Sequence, residues 1–365
     1  MALSIGVNKK MDLERKIELI MRAPTEEIVT KEELTNLLKT KSAPKHYIGL
    51  EISGLLHLAS LVLIGMKIND MMNAGVKCTI FLADWHTYIN NKFDGKWEKI
   101  KIASKYYEEA FRFYCPGVEI KLGSELYSEK KDFWENYIRF CKRITLARNT
   151  RCLTIMGRGV KDQLDFSQYL YPPLQAVDIE ALEVDIAHAG MDQRKVHMLA
   201  REVFPSLGWK PPIAIHHHIL PGLGEPLNSG LDEDKLTDLV ISSKMSKSNP
   251  STSIFIHDNE EEIIKKIKHA WCPPKIAENN PILAFAKYII FHNETSLEIE
   301  RLPKFGGRLE FDKYDVLESE YNQGNIHPAD LKSAVSKRII DIINPIRTHF
   351  ENKKELLKPY EVESE

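Results

Sequence analysis

Long apolar runs are missing from this chain. Its hydrophobic stretches are short or broken by polar residues, and none is long enough to span a bilayer. The opening MALSIGVNKKMDLERKIELI turns charged early, without the apolar core of a signal peptide, so a cytoplasmic protein is expected. Cysteine is scarce: Cys78, Cys115, Cys141, Cys152 and Cys272 are odd in number, scattered, and form no CxxC pair. That spacing argues against a zinc site or a disulfide framework and suits a reducing compartment. An excess of one charge is also missing, since 50 Lys and Arg face 52 Asp and Glu. A polyanionic partner such as RNA would have to be held by local clusters. No internal repeat or low-complexity tract stands out. What is present is 365 residues with 43% hydrophobic and 28% charged side chains, an ordinary globular balance with room for two domains.

Residues 10–40 alternate charge with Leu, Ile and Met at helical spacing, which predicts one or two amphipathic helices. The β-branched and aromatic run Tyr47–Ile52 predicts a strand ending at Ser53-Gly54. From His57 onward, Leu58, Leu61, Val62, Ile68, Met71 and Met72 fall near helical spacing, and Gly75 suits a C-terminal cap. CTIFLAD (Cys78–Asp84) is a short apolar run of the kind buried in a parallel sheet. Strand, tight turn, helix and strand in succession make a βαβ unit, the building block of a doubly wound nucleotide-binding sheet. Residues 95–150 predict helices around a strand near Gly117–Leu122, and Ile213–Leu220 is a further strand candidate. The Gly/Pro-rich Pro221–Asp234 reads as a loop. From about residue 258 the pattern is helical, with Leu331, Val335, Ile339, Ile342, Ile343 and Ile346 on one face and Pro328 near its start.

SSKMSKSNPSTSIF (Ser242–Phe255) is the sharpest chemical signal. Two lysines three apart, among hydroxyls, offer charges on flexible stems together with short donors, which suits a polyphosphate. A generic KxxK of this kind is more often a solvated basic loop. The full string Lys244-Met245-Ser246-Lys247-Ser248, however, matches the KMSKS motif of class I aminoacyl-tRNA synthetases. Those enzymes pair it with an HIGH motif after the first strand, at a helix start that favours phosphate. The matching segment here is His57-Leu58-Ala59-Ser60, which keeps the first histidine and replaces the glycine and second histidine. A lone histidine at a helix start is more often structural; beside KMSKS the catalytic reading gains. Further segments, in order, are YIGLEISG, FLADWHTYINNK, YPPLQAVD, GMDQRKVHMLARE, KFGG and NIHPADLK. Together they resemble the tyrosyl-tRNA synthetases of archaeal and eukaryotic type, from about residue 30 to 350.

The resemblance implies an α/β fold whose Rossmann-type catalytic domain, a doubly wound parallel sheet, covers residues 41–235 with an inserted helical region at about 95–160. An N-terminal helical segment would occupy residues 1–40, the KMSKS loop and linker 236–258, and a helical anticodon-binding domain 259–365. It implies ligation of L-tyrosine to tRNA(Tyr) through tyrosyl-adenylate, with ATP and Mg²⁺, no tightly bound prosthetic group, no protein-held metal, and a homodimer. Tyr47 and Asp178 are then expected at the phenol hydroxyl, and Tyr171, Gln175 and Gln193 at the ammonium and carboxylate. Gly49, Glu51, Gly190 and Asp192 would line the adenylate and its ribose, while His57, Lys244, Ser246, Lys247 and Ser248 would face the ATP phosphates. Arg151 and Arg194 are expected at the acceptor end of the tRNA, and Phe305, His327 and Asp330 at the anticodon, where an aromatic stacks and a carboxylate accepts from a base edge.

Read alone, Asp178 suits a capping or ion-paired carboxylate, Tyr47 a strand aromatic and Phe305 a core ring. Three rivals share parts of the pattern. A tryptophanyl-tRNA synthetase is disfavoured by the Tyr47–Asp178 pair, because indole offers only a donor. A catalytically silent synthetase-like RNA-binding protein draws on the eroded HLAS, and a non-synthetase nucleotidylyltransferase is disfavoured by the C-terminal segments. His216-His217-His218 does not read as a metal site, since adjacent strand residues alternate faces. Trp85 and His86 are expected to pack near the pocket mouth.

Overall fold

The computed structural model describes residues 11–157, 163–230, 234–293 and 296–360. The outer ends of the expected segments, residues 1–10 and 361–365, lie outside them, as do 158–160 of the inserted region and 231–233 of the glycine-rich loop.

A six-stranded sheet carries the site. Its strands are β1 (Thr25–Val29), β2 (Lys45–Leu50), β3 (Lys77–Leu82), β4 (Glu119–Leu122), β5 (Ile186–Gly190) and β6 (Ile213–His217). Their spatial order is β1-β6-β5-β2-β3-β4, with β2 to β6 parallel and β1 antiparallel on the β6 edge. Between β2 and β5 the direction of winding reverses, and a doubly wound sheet opens a crevice at the carboxyl ends of the strands there. Alternate residues feed two cores: Ile48, Ile80, Leu82 and Ile186 pack into one, Tyr47, Phe81 and Ala187 into the other. β5 and β6 are buried along their whole length; β6 was expected from its sequence, whereas β5, the short IAHAG, was not.

The N-terminal segment holds two helices, Leu13–Met21 and Lys31–Thr40, within the expected one or two, but a strand that was not expected, β1, runs between them. TEEIV carries no apolar alternation because polar contacts complete it: β1 sets Glu27 opposite His216, and the Glu27 carboxylate meets both His216 and Arg194. After His57 the chain enters a wide π-type turn, Leu58–Leu63, before the α-helix Ile64–Asn73, and Gly75 lies just beyond its end. The C-terminal part is mainly helical, with Glu260–His269 packed against the long helix Pro328–Phe350. Leu331, Val335, Ile339, Ile343 and Ile346 are its buried face, and Pro328 opens it. A small antiparallel hairpin, β7 (Leu297–Ile299) with β8 (Leu309–Phe311), interrupts the helices and was not expected. Among the described residues no helix is long and apolar enough to cross a membrane.

Candidate active site

A cleft of about 940 Å³ opens at the carboxyl ends of β2 and β5. Helix Tyr171–Ala181 forms one wall and begins with Pro172 and Pro173, at positions whose N–H groups a helix does not use. Tyr171, Gln175 and Asp178 follow at i, i+4 and i+7, so all three turn to the cleft. Asp178 is fully buried. Its Oδ1 accepts from the Tyr127 hydroxyl at 2.8 Å, while Oδ2 has no hydrogen-bond partner and stands 3.7 Å from His86 Nε2. Burial, reinforced by the charge of Asp84 and only partly opposed by Tyr127, pushes the Asp178 carboxyl well above the usual range.

Tyr47 closes the other side with its ring edge-on to Phe81. Burial, then the proximity of Asp178, raises its phenol well above the ordinary value and keeps it a neutral donor. A Cβ on Gly49 would stand 2.8 Å from the Tyr47 hydroxyl, so only glycine lets the ring lie across the strand. At the polar end of the cleft Gln175 Nε2 donates to Gln193 Oε1 at 3.4 Å, and Gln193 Nε2 to the Ile155 carbonyl at 2.9 Å. Glu51 accepts from Asn90 Nδ2 at 2.6 Å and has Lys92 Nζ at 3.6 Å.

The second half of the cleft is cationic. His57 is the N-cap of the wide turn: its Nδ1 accepts from the Ser60 N–H at 3.3 Å, and Ser60 Oγ accepts from the His57 N–H at 2.9 Å. This reciprocal box assigns the ring proton to Nε2. Burial, then Lys247 and Lys244, hold the imidazole well below its usual value, so His57 offers a neutral Nε2–H. The chain just past KMSKS is stitched to this turn. Leu58 N donates to the Ile254 carbonyl at 2.9 Å and Ile256 N to that of Leu56 at 3.1 Å, with His57 and Phe255 opposed in an antiparallel bridge.

Within the motif, Met245 is buried and its N–H donates to the Leu220 carbonyl at 3.0 Å, which anchors the loop. Lys244 Nζ lies 3.0 Å from Asp192 Oδ2. Asp192 raises the Lys244 pKa; burial disfavours the Asp192 charge in turn, but Lys244, together with His217 and Gln193, outweighs it and the carboxyl stays below its ordinary value. Ser246 and Ser248 hydroxyls sit 2.8 Å apart, and Lys247 reaches Ser53 and Tyr107.

His216 and His217 face opposite ways as expected, whereas His218, beyond the end of β6, lines the cleft with His217 and meets Glu26. His217 lines the cleft and bonds His188 at 2.9 Å, which bonds His46 at 3.1 Å; His216 turns the other way, to His197 and Glu27. None of the five expected RNA contacts lines the cleft. Arg151 is exposed, and Arg194 Nε spans both Glu27 oxygens at 3.0 and 2.8 Å. Phe305 is 60% exposed rather than a core ring, with Lys304 Nζ 4.9 Å from its centroid. Arg301 ties the Phe305 turn to the approach to His327 by donating to the carbonyls of Gly307 and Asn325. His327 caps helix Pro328–Phe350, whose first turn holds Asp330.

Sequence reasoning passed over Asn90, Lys92, Tyr107 and Tyr127, and placed His86 at the mouth although it is buried within the cleft. The available signal was position: His86, Asn90 and Lys92 follow β3, and Tyr127 follows β4, where the carboxyl ends of strands face the crevice.

A family described as tRNA synthetases class I (W and Y) matches residues 39–344. The tyrosine–tRNA ligase of Thermococcus kodakarensis is 43% identical over 367 aligned positions, which cover 95% of this chain and 98% of that protein. The tyrosyl-tRNA synthetase of Pyrococcus horikoshii, crystallised with L-tyrosine, superposes with a TM-score of 0.88 at 40% identity, over 96% of this chain and 99% of that one. The tryptophanyl-tRNA synthetase of Plasmodium falciparum shares the fold, with a TM-score of 0.66 at 15% identity over 96% of this chain and 90% of that one. The chain therefore belongs to the class I tyrosyl-tRNA synthetases, of archaeal type, and is a tyrosine–tRNA ligase.

Proposed function

We propose that tyrosine enters the cleft with its phenol between Tyr47 and Asp178, accepting from the first and donating to the second. The observation that carries this is the unpartnered, buried Oδ2 of Asp178 in a cleft whose facing wall holds the Tyr47 phenol, near enough for Asp178 to raise its pKa. A buried acceptor next to a buried donor is satisfied by a hydroxyl on both counts, and phenylalanine would leave both unpaired. A site built this way rejects the analogue strongly, and tyrosyl-tRNA synthetases are the standing illustration of that rule. Tyr171, Gln175 and Gln193 take the ammonium and carboxylate, Gly49, Glu51, Gly190 and Asp192 line the adenylate, and His57, Lys244, Ser246, Lys247 and Ser248 take the phosphates.

In the first step a carboxylate oxygen of tyrosine attacks the α-phosphorus of ATP. The new P–O bond forms as the bond to the β-phosphate oxygen breaks, and pyrophosphate leaves. No side chain acts as nucleophile, so the contribution of the protein is positioning and stabilisation of charge on the phosphates. In the second step a hydroxyl of the terminal ribose of tRNA(Tyr) attacks the adenylate carbonyl carbon, and AMP leaves as the ester forms. Mg²⁺ would enter with ATP, bound to the nucleotide phosphates. Arg151 and Arg194 would meet the acceptor end, and Phe305, His327 and Asp330 the anticodon. A homodimer belongs to this reading, and the free cysteines suit a cytoplasmic setting.

Asp178→Asn tests the phenol reading. Asparagine can turn a donating amide toward the phenol, and leaving that buried hydroxyl without an acceptor costs about 1–3 kcal/mol, so the preference for tyrosine over phenylalanine in kcat/KM should fall about 10- to 100-fold. Unchanged selectivity would make Asp178 a structural carboxylate.

A further inference from the structure

Tyr107, on helix Trp97–Tyr114, carries none of the roles given so far, yet its hydroxyl is fully used. Its proton goes to the Gly54 carbonyl at 3.0 Å, and the Ser53 N–H donates to it at 3.2 Å. Lys247 Nζ donates into the remaining lone pair and stands 5.1 Å from the ring centroid. A phenol has one proton and two lone pairs, so this oxygen has no capacity to spare. The other partner of Lys247 is Ser53 Oγ at 3.3 Å. The turn is shaped to receive the lysine stem: Gly54 has φ +104°, where side chains are disfavoured, and a Cβ there would lie 3.2 Å from Lys247 Cδ.

The ring is itself held in place. Tyr106 packs edge-on against Tyr107 at 5.8 Å and takes the Leu56 N–H at 3.2 Å, while its hydroxyl meets His257 Nε2 at 2.8 Å. Two consecutive tyrosines on one rigid helix thus grip the turn before His57 and the chain that carries KMSKS.

We infer that Tyr107 is a positioning residue for adenylate formation, holding the Lys247 ammonium beside the His57 turn before ATP arrives. A lysine on a flexible four-carbon stem otherwise has to be ordered at each turnover, and prior ordering removes that cost from the reaction. This rests on the reading that Lys247 faces the ATP phosphates.

The test is a double-mutant cycle on the full-length enzyme, following single-turnover tyrosyl-adenylate formation in wild type, Tyr107→Phe, Lys247→Ala and the double variant. Phenylalanine keeps the ring and removes only the hydroxyl. Tyr107→Phe is expected to slow the step about 10-fold, as for a lost hydrogen bond to a charged group, with tyrosine affinity unchanged. In the Lys247→Ala background the same change should cost less than about twofold, because the partner is gone. Equal losses in both backgrounds would mean that Tyr107 only braces the Ser53-Gly54 turn, and a faster or unchanged Tyr107→Phe enzyme would equally overturn the inference. If Lys247→Ala itself is fully active, the reading of Lys247 fails, and this inference with it. Ser53→Ala is a second probe that leaves the bonds of Tyr107 to the backbone intact. It should show the same coupling to Lys247, and its independence from Lys247 would count against the inference.

Discussion

In the proposed reading, Ser60 lets a single histidine serve where a second one is replaced. Its hydroxyl and N–H close a reciprocal box with His57, fixing ring orientation and tautomer so that Nε2–H is the free donor. In that reading the charge on the phosphate side falls to Lys244 and Lys247, while His57 would contribute a neutral hydrogen bond. Ser60→Ala removes the oxygen that accepts the His57 N–H, a hydrogen bond worth about 1 kcal/mol, while the backbone N–H on Nδ1 stays; adenylate formation should slow about fivefold with tyrosine affinity intact. Ser60→Thr should retain most of the rate, and single-turnover kinetics would show it; an unimpaired Ser60→Ala enzyme would separate the box from the chemistry. The motif residues were legible because their order along the chain is distinctive. Tyr127 and Tyr107 were not, since each is an unexceptional helix tyrosine until folding brings it to Asp178 or Lys247.

Among the elements, β2, β3 and β6 were readable because burial on both faces writes itself as an apolar run. β1 was hidden because its contacts are ionic: Glu27 meets Arg194 and His216 instead of a hydrophobic neighbour. The hairpin of β7 and β8 was hidden by length, as three-residue strands are too short for a period to emerge. Helix Tyr171–Ala181 shows a different gap. Its residues Tyr171, Gln175 and Asp178 share a face by spacing alone, yet only the carboxyl-end position of the sheet says that this face meets a cleft. The wide turn at Leu58–Leu63 was not legible at all, since its residues fit an α-helix equally well.

At the scale of the whole molecule, Asp70 joins the N-terminal segment, helix Ile64–Asn73 and the C-terminal region. Its carboxylate is paired with Arg22, with Lys67 at 3.2 Å and with His292 at 3.4 Å, while Arg22 also donates to the His292 carbonyl at 3.2 Å. Burial opposes the charge, but His292, Arg22 and Lys67 outweigh it and pull the carboxyl from 3.8 to about 2. Above about pH 5 folded and unfolded chains are both ionised there, and the stabilisation, on the order of 2 kcal/mol, is complete. As pH falls toward 2 the unfolded chain takes up its proton first, and the contribution is lost. Asp70→Asn should therefore melt well below wild type at pH 7, with the gap narrowing as pH drops from about 5 to 2.5 in thermal melts. A gap constant across that interval would contradict the pairing.

The claim that binds these scales is that the whole chain activates tyrosine by reading its hydroxyl. ATP–pyrophosphate exchange by the purified protein, driven in turn by tyrosine, phenylalanine and tryptophan, measures it most directly. The account predicts exchange with tyrosine and at most a trace with the other two. Exchange driven by tryptophan or phenylalanine as well as by tyrosine, or no exchange with any of them, would contradict it.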